Sequence, residues 1–267
     1  MLEYRLQLWR GALASRWADD VTNPENSAGW APLGIALLDF HRGDTGAVIV
    51  VLSDLWEDEA TPVETFYRPL EQDLPALERE ALELCVGRVL DLGAGAGRHA
   101  LDLQEAGHSV VAVDPLAEAV EIMRDRGVVD PRLGDLGAVT GEKFDTVLML
   151  MHGLGVVGDL RGLGSLLEEL PDHLNPGGFL VCDSADLATA LRDESPELLD
   201  ELSIPDRYLG EVEFGLRYGR LEGPRYPWIF VDPQALEIIA GAAGFDMKIA
   251  ASGERGSYLA VLTLSPT

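Results

Sequence analysis

Residues 89–97, VLDLGAGAG, constrain the fold of this chain more than any other stretch. Val89, Leu90 and Leu92 around Asp91 predict a buried parallel strand, because a strand covered on both faces is apolar without alternation. Gly93, Gly95 and Gly97 then break it. Glycine tolerates positive φ and lets another molecule lie against bare backbone, so such a turn is where a ligand approaches closely. The following run has Ala100, Leu101, Leu103 and Ala106 at helical spacing. A strand, a glycine turn and a helix N-terminus make a cradle of the nucleotide-binding type.

A dinucleotide fingerprint requires G-x-G-x-x-G. Counted from Gly93, its last position falls on Arg98, so the pattern fails there and what stands is D-x-G-x-G-x-G. The apolar run 109–113 predicts a second buried strand that ends at Asp114, roughly 20 residues past the turn, where a carboxylate meets ribose hydroxyls. Pro115 ends that strand, and a helix is expected over 117–126. Residues 131–136 read as a short third strand finishing in Asp135, and 144–151 as a fourth, followed by the glycine-rich 152–158. A helix over 163–174 and the turn Asn-Pro-Gly-Gly at 175–178 lead to a fifth strand, 179–182, with Asp183 and Ser184 at its end. Residues 211–218 and 225–231 pattern as a hairpin. Asp232 then starts a helix over 233–243, and 245–251 with 258–264 form a closing antiparallel pair.

Asp91 with its glycines, the strand-end acids Asp114 and Asp135, and Leu-Asn-Pro-Gly-Gly at 174–178 together resemble the class I S-adenosylmethionine (SAM)-dependent methyltransferases. The resemblance covers about residues 86–264. It implies an α/β, Rossmann-like sheet of seven strands with an antiparallel last strand. Residues 86–267 would form the SAM-binding domain, with a capping insertion at about 184–231, and residues 1–85 an N-terminal extension or lid. Gly93, Ala94, Gly95 and Gly97 would lie against the methionine end of SAM, oriented by Asp91. Asp114 would hold the ribose, Asp135 the adenine amine and the Leu136 backbone the ring, with Pro115 and Met151 as flanking contacts. The acceptor would sit beyond the fourth strand. There the chain has Met-His-Gly-Leu-Gly in place of the Asn-Pro-Pro-aromatic motif of relatives that methylate adenine, cytosine or glutamine amides, which argues against those acceptors.

The implied activity is in-line methyl transfer to a small molecule, and a base is needed only when the acceptor must lose a proton. His152 is the first candidate, with Asp183, Tyr67 and Tyr208 behind it. His99 is expected at the helix surface. Tyr67 and Arg68, with Phe66, are expected either to bind a carboxylate of SAM or substrate or to pack an arm on the core with Arg68 solvated, and Asp183 and Ser184 to face the acceptor. A nicotinamide-dependent oxidoreductase and a non-catalytic SAM-binding protein are the rival classes.

Charge narrows the partners. The 267 residues carry a net charge of −26, with Lys143 and Lys248 the only lysines. A polyanionic surface without a basic stripe repels phosphate backbones, so nucleic acid is not an expected partner. The acids are spread through the chain, as adaptation to high salt would leave them, although steering of a cationic substrate would also produce acidity. No run is long enough to span a membrane. Cys85 and Cys182 lack metal-ligand spacing, and a cytoplasmic setting is expected. Residues 1–17 pattern as an amphipathic helix.

Overall fold

The structure, a computed structural model, describes residues 24–68, 74–194, 197 and 208–265. The amphipathic segment 1–17 lies outside them. In chain order the first elements are α1 (Pro24–His41), β1 (Val48–Ser53), β2 (Glu59–Pro62), the single-turn α2 (Glu64–Tyr67) and α3 (Ala76–Leu84). The cradle follows as β3 (Arg88–Leu92), α4 (Arg98–Glu105), β4 (Ser109–Asp114), α5 (Ala117–Arg126), β5 (Pro131–Leu133) and β6 (Phe144–Met149). The chain continues through α6 (Leu160–Glu169), β7 (Leu174–Ala185), α7 (Leu187–Glu194), β8 (Glu211–Tyr218), β9 (Leu221–Glu222) and β10 (Tyr226–Ile229). It closes with α8 (Pro233–Ala242), β11 (Phe245–Ser252) and β12 (Ser257–Leu264).

Seven strands form one sheet in the order β11-β12-β7-β6-β3-β4-β5. The pairs within β7-β6-β3-β4-β5 are parallel, while β12 runs antiparallel to both its neighbours. This is the sheet expected from the sequence. Its two faces are covered by different apolar clusters, with Leu90, Leu92, Val111 and Val113 on one side and Val89, Val110 and Ala112 on the other. Burial on both faces is why these strands show no alternation.

Local chemistry shifts two boundaries. Asp159 accepts a hydrogen bond from the Gly162 N–H and starts α6 three residues earlier than the apolar spacing suggests. The predicted turn at 175–178 belongs to β7, whose pairing with β6 slips in register between Phe144 and Thr146.

The sequence does not say how the extension and the capping insertion meet; in the structure they form one antiparallel sheet. Its order is β10-β8-β1-β2, with β9 paired to β8. Val51 faces Leu216 across β1 and β8, and Phe214 faces Tyr226 across β8 and β10. The helix α1 packs against β8 and α5. Ile122 of α5 and Ala96 of the glycine turn share the cluster formed by Leu33, Leu37, Phe214 and Tyr226. Arg126 adds a polar tie, donating to the carbonyls of Ala96 (2.7 Å), Tyr67 (2.9 Å) and Arg68 (2.8 Å). The second sheet is thus fixed to the cradle as a roof.

Candidate active site

The ends of β3, β4 and β6 open into a cavity of about 340 Å³ beneath this roof. Gly93 and Gly95 hold positive φ, 83° and 54°, and a Cβ on either would meet nothing within 4 Å, so the bare turn faces open space. The turn is braced by Asp114, which accepts from the Gly95 N–H at 2.8 Å and the Leu116 N–H at 2.9 Å. Burial pushes the Asp114 carboxyl up to about 6 against these two N–H donors, with the charge of Asp91 adding to the rise. Pro115, Gly134, Asp135 and Leu136 continue the wall. Asp135 also caps the turn after it, accepting from the Gly137 N–H. Asp91, one residue before the lining Leu92, is buried with Oδ2 unpartnered, and burial raises its pKa.

After β6, Met151 and His152 hold φ of 59° and 58°. Two successive non-glycine residues in that region are costly, and such strain persists only where the surroundings enforce it. Asp183 accepts from the His152 N–H at 2.8 Å, and the His152 carbonyl accepts from the Gly155 N–H at 2.8 Å. The Asp183 Oδ2 lies 3.9 Å from His152 Nδ1, which is buried. Nε2 is then the nitrogen through which the ring, 35% exposed, can act in the cavity. Burial raises the pKa of Asp183, and the neighbouring His152 opposes it.

The roof supplies the remaining wall. Trp30, Leu33 and Leu37 line the cavity from one face of α1, and Tyr226, Trp228 and Phe230 from alternate positions of the β10 segment. The Trp228 indole lies so close over Gly155 that a Cβ there would stand 2.0 Å from Cε2. His152 meets the ring of Phe230 edge-on at 5.3 Å between centroids.

Of the residues singled out in the sequence, Gly93, Ala94, Gly95, Asp114, Pro115, Asp135, Leu136, Met151 and His152 line the cavity together. Others fall elsewhere. Gly97 packs inward, where a Cβ would stand 2.8 Å from Val128 Cγ2 and 3.2 Å from Met123 Cγ, so it serves the contact with α5 and the residues just after it. Arg68 is buried rather than solvated, donating to the Arg98 carbonyl and the Asp102 carboxylate, and Tyr67 bonds His41 through its hydroxyl and stacks under Arg126. Phe66, between them and the roof, is the lining member of that segment. Ser184 accepts from the Val231 N–H and pins the roof strand to β7, while Tyr208 bonds Asp232 and burial raises its pKa.

His99 is 5% exposed and lines the cavity with Arg98, contrary to its expected surface position. Both bind Glu78 of α3. Glu78 Oε2 lies 2.6 Å from Arg98 Nε and 2.8 Å from His99 Nε2, and its Oε1 lies 2.8 Å from an Arg98 terminal nitrogen. Among the described residues no group of His, Cys, Asp and Glu is arranged to hold a metal.

Residues 89–178 match the model of a family described as "Methyltransferase domain". A solved structure of a SAM-dependent methyltransferase from Bacteroides fragilis, in complex with S-adenosyl-L-homocysteine, is 34% identical, with a TM-score of 0.79 over 90% of this chain and 97% of that one. This chain belongs to the SAM-dependent methyltransferases. A ubiquinone biosynthesis O-methyltransferase of Azorhizobium caulinodans is 30% identical over 60% of this chain, and a cypemycin N-terminal methyltransferase of a Streptomyces species 33% over 38%. The methyltransferase described here covers 59% and 42% of the lengths of those two relatives. Its cradle fits the group that names the family: bare backbone at Gly93 and Gly95, an orphaned acceptor at Asp91 and a buried carboxylate at Asp114.

Proposed function

We propose that this methyltransferase moves a methyl group from SAM to a small-molecule acceptor under the roof, with His152 taking the acceptor's proton. One observation carries the reading: the cavity runs unbroken from the glycine turn to the roof's aromatic wall, with His152 among its lining. A protein that only bound SAM would need no aromatic wall beyond the cradle. SAM supplies an electrophilic methyl on a sulfonium, so the chain itself does little covalent work. Gly93 to Gly95 would take the methionine end against bare backbone, Asp91 would answer its ammonium, and Asp114 and Asp135 would hold ribose and adenine. The roof excludes water and keeps the acceptor oriented, which is where much of the acceleration of a bimolecular displacement arises. The His152 Nε2 accepts the proton, and the Asp183 carboxylate lies behind the ring, 3.9 Å from Nδ1.

Two measurements test this. Calorimetric titration should show binding of SAM and S-adenosylhomocysteine and none of NADH or NADPH. Binding of a nicotinamide cofactor alone would overturn the assignment. The second follows from Asp114. Its pKa is raised from 3.8 to about 6, so this group favours the folded state below pH 4 and that advantage is lost as pH rises through 6. Ribose hydroxyls donate to the ionised carboxylate, whose population rises about tenfold from pH 5 to pH 7. Affinity for S-adenosylhomocysteine should rise by about that factor over the range, with Asp91 acting in the same direction. In Asp114→Asn the rise should shrink; an undiminished rise would remove Asp114 from the site.

Among the described residues no helix is long and apolar enough to cross a membrane.

A further inference from the structure

We propose that the acceptor is a flat aromatic molecule bearing a hydroxyl, methylated on that oxygen. The proposal rests on the methyl-transfer reading above and adds the acceptor's chemistry to it. The part of the cavity built by the roof and its flanking segments presents Trp30, Phe66, Phe214, Tyr226, Trp228 and Phe230, backed by aliphatic side chains. The charged residues that line the cavity, Arg98, Asp114 and Asp135, belong to the cradle. A charged acceptor would therefore shed its water on the roof side with no counter-ion to replace it.

The rings also brace one another. Trp30 lies 4.6 Å from Tyr226 and 5.6 Å from Trp228, and Phe214 meets Trp228 and Phe230 edge-on at 6.2 Å and 6.1 Å. Trp228 is held down on Gly155, so the wall is a preformed set of π faces and edges that selects a planar guest. Its inner end is marked by Phe230 against His152. A ring seated on this wall brings its substituent to the imidazole, at the border with the cradle.

The electrostatics favour a hydroxyl over an amine. An alkylamine arrives as an ammonium, which has no lone pair for attack and sets like charges together beside a sulfonium in an apolar, dehydrated chamber, whereas a phenol losing its proton approaches the sulfonium with opposite charge. In the balanced step the hydroxyl gives its proton to His152 Nε2, and an oxygen lone pair forms the new bond to the methyl carbon. The carbon–sulfur pair stays on sulfur as that bond breaks, leaving an aryl methyl ether, S-adenosylhomocysteine and a protonated His152 that returns its proton to water.

The test uses the full chain saturated with S-adenosylhomocysteine and three probes at pH 7.5: 2-naphthol, 2-naphthoate and N,N-dimethylbenzylamine. 2-Naphthol should bind at least tenfold more tightly than the other two by equilibrium dialysis. Trp228→Ala and Phe230→Leu should each weaken naphthol binding at least fivefold with S-adenosylhomocysteine affinity unchanged, which also reports that the variants fold. With SAM present, mass spectrometry should find 2-methoxynaphthalene. Preferred binding of the amine would overturn the proposal in favour of a cation–π cage for an N-methylation substrate. Naphthol binding indifferent to both substitutions would overturn it as well. Failure of the wild-type chain to bind S-adenosylhomocysteine would instead defeat the methyl-transfer reading itself.

Discussion

Replacing His152 with alanine is expected to lower kcat by roughly 10² to 10⁴, the range for loss of a positioned general base, with affinity for S-adenosylhomocysteine within twofold of wild type. The expectation follows from placement: His152 lines the cavity where the cradle meets the aromatic wall, and Asp183 holds its backbone N–H while facing Nδ1. The left-handed backbone at Met151 and His152 aims the ring, and Gly155 secures the turn that follows. Asp183→Asn keeps an oxygen for the His152 N–H but loses the carboxylate that faces Nδ1, so its kcat should fall by a smaller factor. A His152→Ala enzyme that loses cofactor affinity yet turns over normally at saturating SAM would make His152 a cofactor contact only.

The cradle was legible in the sequence because local rules build it. A strand that ends in an acid or in glycines places those residues at the carboxyl edge of the sheet wherever the strand sits, and Gly93, Gly95 and Asp114 came from that rule, while Asp135, two residues past its strand, was picked out only by the family resemblance. Gly97 shows its limit: the third glycine serves the close packing of Val128, a contact that depends on α5. A capping insertion and a lid were expected, but their union in one sheet was hidden for the same reason. Phe214 and Leu216 on β8, and Tyr226, Trp228 and Phe230 after it, alternate visibly, but alternation does not say what the apolar face covers. That is decided by the pairing of Val51 with Leu216, residues distant in sequence. Arg68 and His99 were misplaced because charged and imidazole side chains are usually exposed. Their partners, Asp102 and Glu78, come from other turns and helices, and no spacing rule links them.

Glu78→Ala is expected to destabilise the fold by about 3–5 kcal/mol, the usual cost of removing one partner of a buried ion pair. The Glu78 side chain is 12% exposed, and those of its partners, Arg98 and His99, are 8% and 6% exposed. Without the carboxylate the Arg98 guanidinium would remain buried beside the glycine turn with its counter-charge gone, and His99 would lose its hydrogen-bond partner. Burial alone would push the Glu78 carboxyl up. The hydrogen bonds from His99 and Arg98 and their charges outweigh it and hold the group at about 2. A carboxylate whose folded pKa lies below its unfolded value of 4.5 contributes in full above that value and loses the contribution as pH falls towards 2. The stability gap between wild type and Glu78→Ala, measured by urea unfolding, should thus be constant from pH 7 to about 5 and narrow below. Glu78→Gln, which keeps one acceptor, should fall between the two. Because Arg98 and His99 also line the cavity, the alanine variant should bind S-adenosylhomocysteine more weakly even where it is folded. An unchanged unfolding midpoint would mean that the ion pair only offsets its own desolvation and that α3 is held against α4 by apolar contacts.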